Sequence, residues 1–281
     1  MSGFYLTISE GGDEDSFRLF CAEGDQAKGV SCQGAVMNLN YGTGGSLRLS
    51  TSSTGTNTHW TYFSLLGKTL SWDVDLSKVP CGLNATFYSV FLHDGNSYRD
   101  ACATFPSTME LDFMEANRYA WHTTLHRGSN DCGSAPPVGI GGTIGDPRYQ
   151  FQDRNGIQKN ASQLYGPGEL FTINTLIPFH ASISFETSST SSNLTSVVIT
   201  LSQGAQSIGQ TYDASNEEYK GWLSGLGQEI GAVTSTSGNV LVWSLWTGGL
   251  NWLESPPCGR NSHPSCDANS CQYTLSNISI S

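Results

Sequence analysis

Three carboxylates, Glu110, Asp112 and Glu115, lie within Met109–Asn117 (M-E-L-D-F-M-E-A-N). Only 13% of the chain is charged, so such clustering stands out from its surroundings. Leu111, Phe113 and Met114 between the acids predict a β-strand packed on its other side. Alternation along a strand puts Glu110 and Asp112 on one face and Glu115 on the opposite one. A β-bulge between Asp112 and Glu115 resets the alternation and gathers all three acids on one face. Two carboxylates about 5–5.5 Å apart on one side of a sugar bond are what double displacement requires: one attacks the anomeric carbon, and the other protonates the leaving oxygen. The same spacing also fits the charged edge of a solvated strand.

The elements around this stretch are short and alternating. Ser46–Ser50, Trp60–Leu66, Thr69–Leu76 and Asn84–Leu92 read as consecutive strands of a meander, with Gly67-Lys68 as a turn. Leu176–Leu201 reads as two strands joined by a Ser/Thr/Asn turn at Thr187–Asn193, and Asn239–Thr247 as a continuous apolar strand. Ala214–Gly227 carries Tyr219, Trp222, Leu223 and Leu226 at spacings of three to four, the pattern of a short amphipathic helix. Residues 1–45 show no motif and read as an edge hairpin. Many short strands and few helical segments predict an all-β sandwich of two antiparallel sheets.

Composition narrows the partners. A length of 281 residues suits one sandwich domain, and a net charge of −11 repels nucleic acid and anionic membranes. No apolar run approaches the roughly 18 residues of a membrane span, and the N-terminus has no signal-peptide pattern. The eight cysteines contain no recurrent C-x-x-C, so four disulfides in an oxidising compartment are expected rather than a zinc site. The expected pairs are Cys21–Cys32, Cys81–Cys258, Cys102–Cys132 and Cys266–Cys271. Sequons at Asn84, Asn160, Asn193 and Asn277 agree with secretion.

The acid stretch resembles the catalytic strand of glycoside hydrolase family 7, the fungal cellobiohydrolases and endoglucanases, whose motif reads E-[LM]-D-[IL]-W-E-A-N. Met114 stands where that family has Trp, on the side expected to face the core. His126 follows at the distance of the family's histidine. Leu65–Tyr88 (L-L-G-K-T-L-S-W-D-V-D-L-S-K-V-P-C-G-L-N-A-T-F-Y) is similar to a family segment over more than twenty positions. Tyr165–Thr175 (Y-G-P-G-E-L-F-T-I-N-T), the strand to Trp246 and the closing Tyr273–Ser279 are similar as well. The stretch between Tyr88 and Glu110 is shorter than in the family, and its tunnel-forming loop has no counterpart.

The resemblance implies a concanavalin A-like β-sandwich of jelly-roll type, with a substrate groove on the concave face and residues 1–281 as one catalytic domain. It implies a secreted, monomeric, retaining endo-acting hydrolase of β-1,4-glucans that uses no cofactor or metal. Glu110 would be the nucleophile, Glu115 the acid/base, Asp112 the residue that tunes the nucleophile, and His126 an aid to Glu115 or the leaving-group subsite. Close carboxylates push their pKa values apart, so Glu115 is expected to keep its proton near about pH 5 while Glu110 is ionised. Asn84, Tyr88, Arg148, Tyr149, Asp153, Trp246 and Trp252 would line the groove, although a glycan on Asn84 would obstruct it. By parity one of Trp243 and Trp246 must face the groove. A polysaccharide-binding protein without activity, and a hydrolase of laminarin or chitosan, remain alternatives.

Overall fold

The structure, a computed structural model, describes side chains in 36–41, 61–93, 109–127, 163–188, 193–253 (apart from Glu218), 258–259, 262–264, 266 and 270–281. For 3–10, 13–22, 30–33, 47–50, 139–143 and 152–153 it describes the backbone alone. In chain order the strands are β1 (Gly3–Glu10), β2 (Asp13–Ala22), β3 (Val30–Gln33), β4 (Val36–Asn40), β5 (Leu47–Ser50), β6 (Thr69–Asp75), β7 (Asn84–His93), β8 (Glu110–Ala116) and β9 (Trp121–His126). They continue with β10 (Gly139–Thr143), β11 (Gln152–Asp153), β12 (Tyr165–Gly166), β13 (Ile173–Asn174), β14 (Phe179–Thr187), β15 (Leu194–Gln203), β16 (Gln206–Asp213), β17 (Ser237–Trp246) and β18 (Gln272–Ile280). Two helices, α1 (Glu217–Gly231) and α2 (Asn251–Glu254), flank β17 in sequence.

Two eight-stranded sheets carry the fold. Sheet A runs β1-β2-β5-β17-β7-β8-β9-β10 and sheet B runs β11-β16-β15-β14-β6-β18-β4-β3, with all pairing antiparallel. Strand alternation aims one face of each sheet at the other. Buried positions in β6 and β14 therefore recur at every second residue. Aromatic rings join the sheets: Trp72 of β6 meets Phe87 edge-on at 4.9 Å and stacks on Trp121 at 6.4 Å, while Phe87 stacks on Trp243 at 5.2 Å. Such rings bury large apolar areas, so sheet A is held at the strands that carry the acids.

The predicted meander is not what forms. β5 and β7 lie on either side of β17 in sheet A, while β6 pairs with β14 and β18 in sheet B. Each consecutive strand crosses to the other sheet, because burying both apolar faces matters more than keeping sequence neighbours paired. Trp60–Leu66 is not a strand in its described part, 61–66, where only Phe63 bridges to Asn239. The Asn239 amide donates to the Phe63 carbonyl at 3.0 Å and so replaces a further ladder bond. The expected edge hairpin near the N-terminus is present as β1 and β2. α1 starts and ends later than 214–227. Asn216 accepts the first helical bonds from Tyr219 and Lys220, and Ile230 extends the buried stripe beyond Leu226.

Cys81–Cys258 and Cys266–Cys271 form disulfides as expected. The expected pairs Cys21–Cys32 and Cys102–Cys132 lie outside the described side chains.

Candidate active site

β8 contains the bulge. Its register with β9 shifts between Asp112 and Glu115, and its register with β7 shifts where Phe87 faces Met114 and Tyr88 faces Asp112. Phe113 and Met114 consequently both point into the core, Met114 fully buried. The alternation is reset, and Glu110, Asp112 and Glu115 share the outer face of sheet A. Opposite them on β7 stand Val90, Tyr88 and Thr86; opposite them on β9 stand His126, Thr124 and His122.

Asn117 closes the turn that follows. Its Oδ1 accepts the backbone N–H groups of Tyr119 and Ala120 at 2.8 and 3.1 Å, and its Nδ2 donates to the Leu83 carbonyl. An Asn in this position mimics a backbone turn, so the last residue of the acid motif serves the scaffold.

The electrostatics separate the acids. Glu115 is pushed up to about 7, chiefly by burial and secondarily by the charge of Glu110, against the hydrogen bond from Asn84. That bond runs from Asn84 Nδ2 to Glu115 Oε1 at 3.0 Å. Asp112 is raised well above the usual carboxylate range, first by burial and then by the charges of Glu115 and Glu110. Among the described residues, no group of three or more His, Cys, Asp or Glu side chains is arranged to hold a metal ion. No described helix is long and apolar enough to cross a membrane.

The expected groove residues fall in several places. Asn84 is fully buried and engaged with Glu115, so its sequon cannot accept a glycan in the folded chain. Tyr88 lies on the outer face, buried among Val90, Leu92, Val240 and Val242. His126 is not beside Glu115: it pairs across from Glu110, and its Nε2 lies 3.5 Å from Asp112 Oδ2. The strand register causes this, since eleven residues of chain reverse direction at the Asn117 turn before reaching His126. Trp243 is fully buried and Trp246 is 36% exposed, paired across from Asn84, so Trp246 is the tryptophan on the outer face. Trp252, on α2, is 46% exposed. Asp153 contributes backbone to the edge of sheet B, paired with Ile208, and its side chain is outside the described set. Arg148 and Tyr149 lie outside the described residues.

Two features had no place in the sequence reading. The Thr86 hydroxyl lies 2.5 Å from that of Ser244, and both sit on the outer face beside Glu115. His122 faces Glu115 and meets the Trp252 indole edge-on at 5.3 Å. Period-2 parity on Trp121–His126 would have found it, since His122 and His126 necessarily share a face.

Two packed antiparallel sheets with acids on the exposed face of one of them define a jelly-roll β-sandwich of the concanavalin A-like class. Residues 18–105 match the model of glycosyl hydrolase family 7, starting inside the stretch where no motif is legible and ending before the acids. Endoglucanase EG-1 of Trichoderma longibrachiatum is 27% identical over 285 residues, covering 83% of this chain and 56% of the relative. Endoglucanase EG-1 of Hypocrea jecorina is also 27% identical, with the same coverage. The chain thus spans about 56% of the length of the curated relatives it matches. The native endocellulase EGI of Humicola insolens superposes with a TM-score of 0.62 at 18% identity, covering 90% of this chain and 77% of that one. A family 7 cellobiohydrolase of Daphnia pulex gives 0.62 at 19% identity, covering 96% and 83%. The chain is thus similar to glycosyl hydrolase family 7 over part of its sequence and shares the fold of solved members.

Proposed function

We propose that residues 1–281 form the catalytic domain of a secreted, retaining, endo-acting hydrolase of β-1,4-glucans. The observation that carries this reading is the bulge in β8, which sets Glu110 and Glu115 on one face with their charges coupled. Glu110 attacks the anomeric carbon. Glu115, protonated up to about pH 7, gives its proton to the leaving oxygen and then takes one from the incoming water. Asp112 tunes and orients Glu110, and His126 Nε2 lies 3.5 Å from its Oδ2. Trp246 and Trp252 offer indole faces to the apolar C–H faces of sugar rings. Two described disulfides support an oxidising, extracellular setting.

The test is product analysis on cellulose, lichenan, laminarin, xyloglucan and chitosan, with the anomeric configuration of the first product followed by NMR. Retention on a β-1,4-linked glucan is expected, and Glu110→Gln and Glu115→Gln each abolish turnover while the chain stays folded. An inverted product or full activity in either variant sinks the assignment. Oligosaccharide binding without hydrolysis of any substrate would favour a polysaccharide-binding protein.

The mode of attack follows from the shortened stretch between Tyr88 and Glu110, which removes roof and leaves the sheet as floor. Internal cuts lower the viscosity of a soluble glucan before many reducing ends appear. Cellobiose as almost the sole early product, at constant viscosity, would refute an open groove.

A further inference from the structure

Glu115 stands between two exposed indoles. On one side, β7 and β17 bring Trp246 across from Asn84, which holds Glu115. On the other side, β9 brings His122 across from Glu115, and Trp252 meets the imidazole edge-on. The rows of facing residues run across the strands, so a sugar chain laid on this face passes from one indole to the other over the acids. Glu115 has to reach the oxygen that joins the two halves of that chain.

The two histidines of β9 divide the work. His126 engages Asp112 at the nucleophile end, whereas the ring of His122 is turned toward an indole. Trp252 sits on a helix of only four residues and is 46% exposed. So short a helix does not hold an exposed indole at a fixed height by its own hydrogen bonds. A ring contact from the sheet does, because an edge-to-face pair has a preferred distance and tilt. On β10, Thr143 stands across from His122, Gly141 across from Thr124 and Gly139 across from His126.

We propose that His122 is a positioning residue that fixes the Trp252 indole beside Glu115, and so determines how tightly the site holds the sugar leaving from the scissile bond. The proposal rests on Glu115 acting as the acid. Its consequence is selective: it concerns substrates whose leaving group is a sugar and spares those whose leaving group is too small to reach Trp252.

The experiment compares the wild type, His122→Ala, His122→Phe, Trp252→Ala and the His122→Ala/Trp252→Ala double variant on two substrates. One is cellotetraose, whose leaving group is a sugar. The other is β-cellobiosyl fluoride, whose leaving group is a single atom. His122→Ala is expected to lower kcat/KM on cellotetraose roughly threefold to tenfold, the range of one aromatic contact, mostly through KM. The fluoride should change by less than about twofold. His122→Phe keeps a ring edge and should restore most of the loss. The double variant should be no worse than Trp252→Ala alone, because the two residues act through one contact. Equal losses on both substrates, a His122→Phe as impaired as His122→Ala, or additive losses in the double variant would overturn the proposal. If the wild type cleaves neither substrate, the hydrolase reading fails instead. Calorimetric affinity for cellotetraose then decides the positioning role: equal weakening in His122→Ala and Trp252→Ala supports it, and unchanged affinity refutes it.

Discussion

Burial sets when Glu115 ionises. A carboxyl raised to about 7 keeps its proton under acidic conditions, as the proposed mechanism requires, and loses it as pH climbs through 7. The alkaline limb of kcat/KM is therefore expected near pH 7. Asn84→Ala removes the hydrogen bond that favours the charged form, so it should move that limb to higher pH. A limb that moves down, or stays, would show that Asn84 does not act on Glu115. The same shift has a stability consequence. Between the unfolded value near about 4.3 and the folded value near 7, the native chain binds more protons than the unfolded one, so stability is full below that window and falls as pH rises through it. The loss from Glu115 is on the order of 3 kcal/mol. Glu115→Gln should thus gain stability over the wild type at pH 8 and little at pH 4, measured by denaturant unfolding; equal differences at both pH values would contradict the buried ionisation. Trp246→Ala should weaken cello-oligosaccharide binding by roughly 1 kcal/mol, read by calorimetry.

At the scale of the element, β8 holds its acids outward by placing two consecutive residues inward. Phe113 and Met114 anchor the bulge against Phe87, Phe185 and the rest of the core. Met114→Ala opens a cavity and should cost about 2–5 kcal/mol of stability while leaving kcat near wild type at low temperature. Deleting Met114 has a different effect. It removes the extra residue and leaves plain alternation, in which Glu115 follows Asp112 by two positions and stays on the outer face, so any folded fraction should keep some activity. A folded deletion variant with no activity would mean that the bulge sets more than the face on which Glu115 lies. Gly82, at φ +86°, sits in the turn before β7, and a Cβ there would lie 2.6 Å from the backbone of His263 and Pro264. The turn that delivers Asn84 is therefore tied to the C-terminal segment by backbone contact as well as by a disulfide.

At the scale of the molecule, Cys81–Cys258 joins positions 177 residues apart in sequence. Closing so long a loop lowers the entropy of the unfolded chain and is worth about 5 kcal/mol in the loop-entropy model. The bond also ties the segment after α2, which carries Trp252, to the turn before Asn84. Cys81→Ala/Cys258→Ala should lower the thermal midpoint and, at temperatures where the chain stays folded, raise KM for cellotetraose more than it lowers kcat. An unchanged KM would confine the disulfide to stability. The sandwich itself does not depend on this bond alone, since Trp72, Trp121, Phe87 and Trp243 bridge or brace the two sheets by ring contacts.

Local chemistry was legible in the chain: the acids, the need for a bulge between Asp112 and Glu115, the inward Met114 and the short-range pair Cys266–Cys271. These follow from side-chain alternation, from residue type and from a run of motifs, all properties of neighbours along the sequence. Parity alone narrowed Trp243 and Trp246 to one outward indole, and tertiary packing chose Trp246 because Phe87 offers Trp243 a stacking partner. Strand order was not legible. β17 enters between β5 and β7 only because burying both sheets against each other outweighs sequence proximity, and no local pattern encodes that balance. The same nonlocal pairing set His126 across from Glu110, buried the Asn84 sequon against Glu115 and brought His122 to face Glu115. Partners across a sheet are fixed by register between distant strands, so their identity exists only in the folded chain.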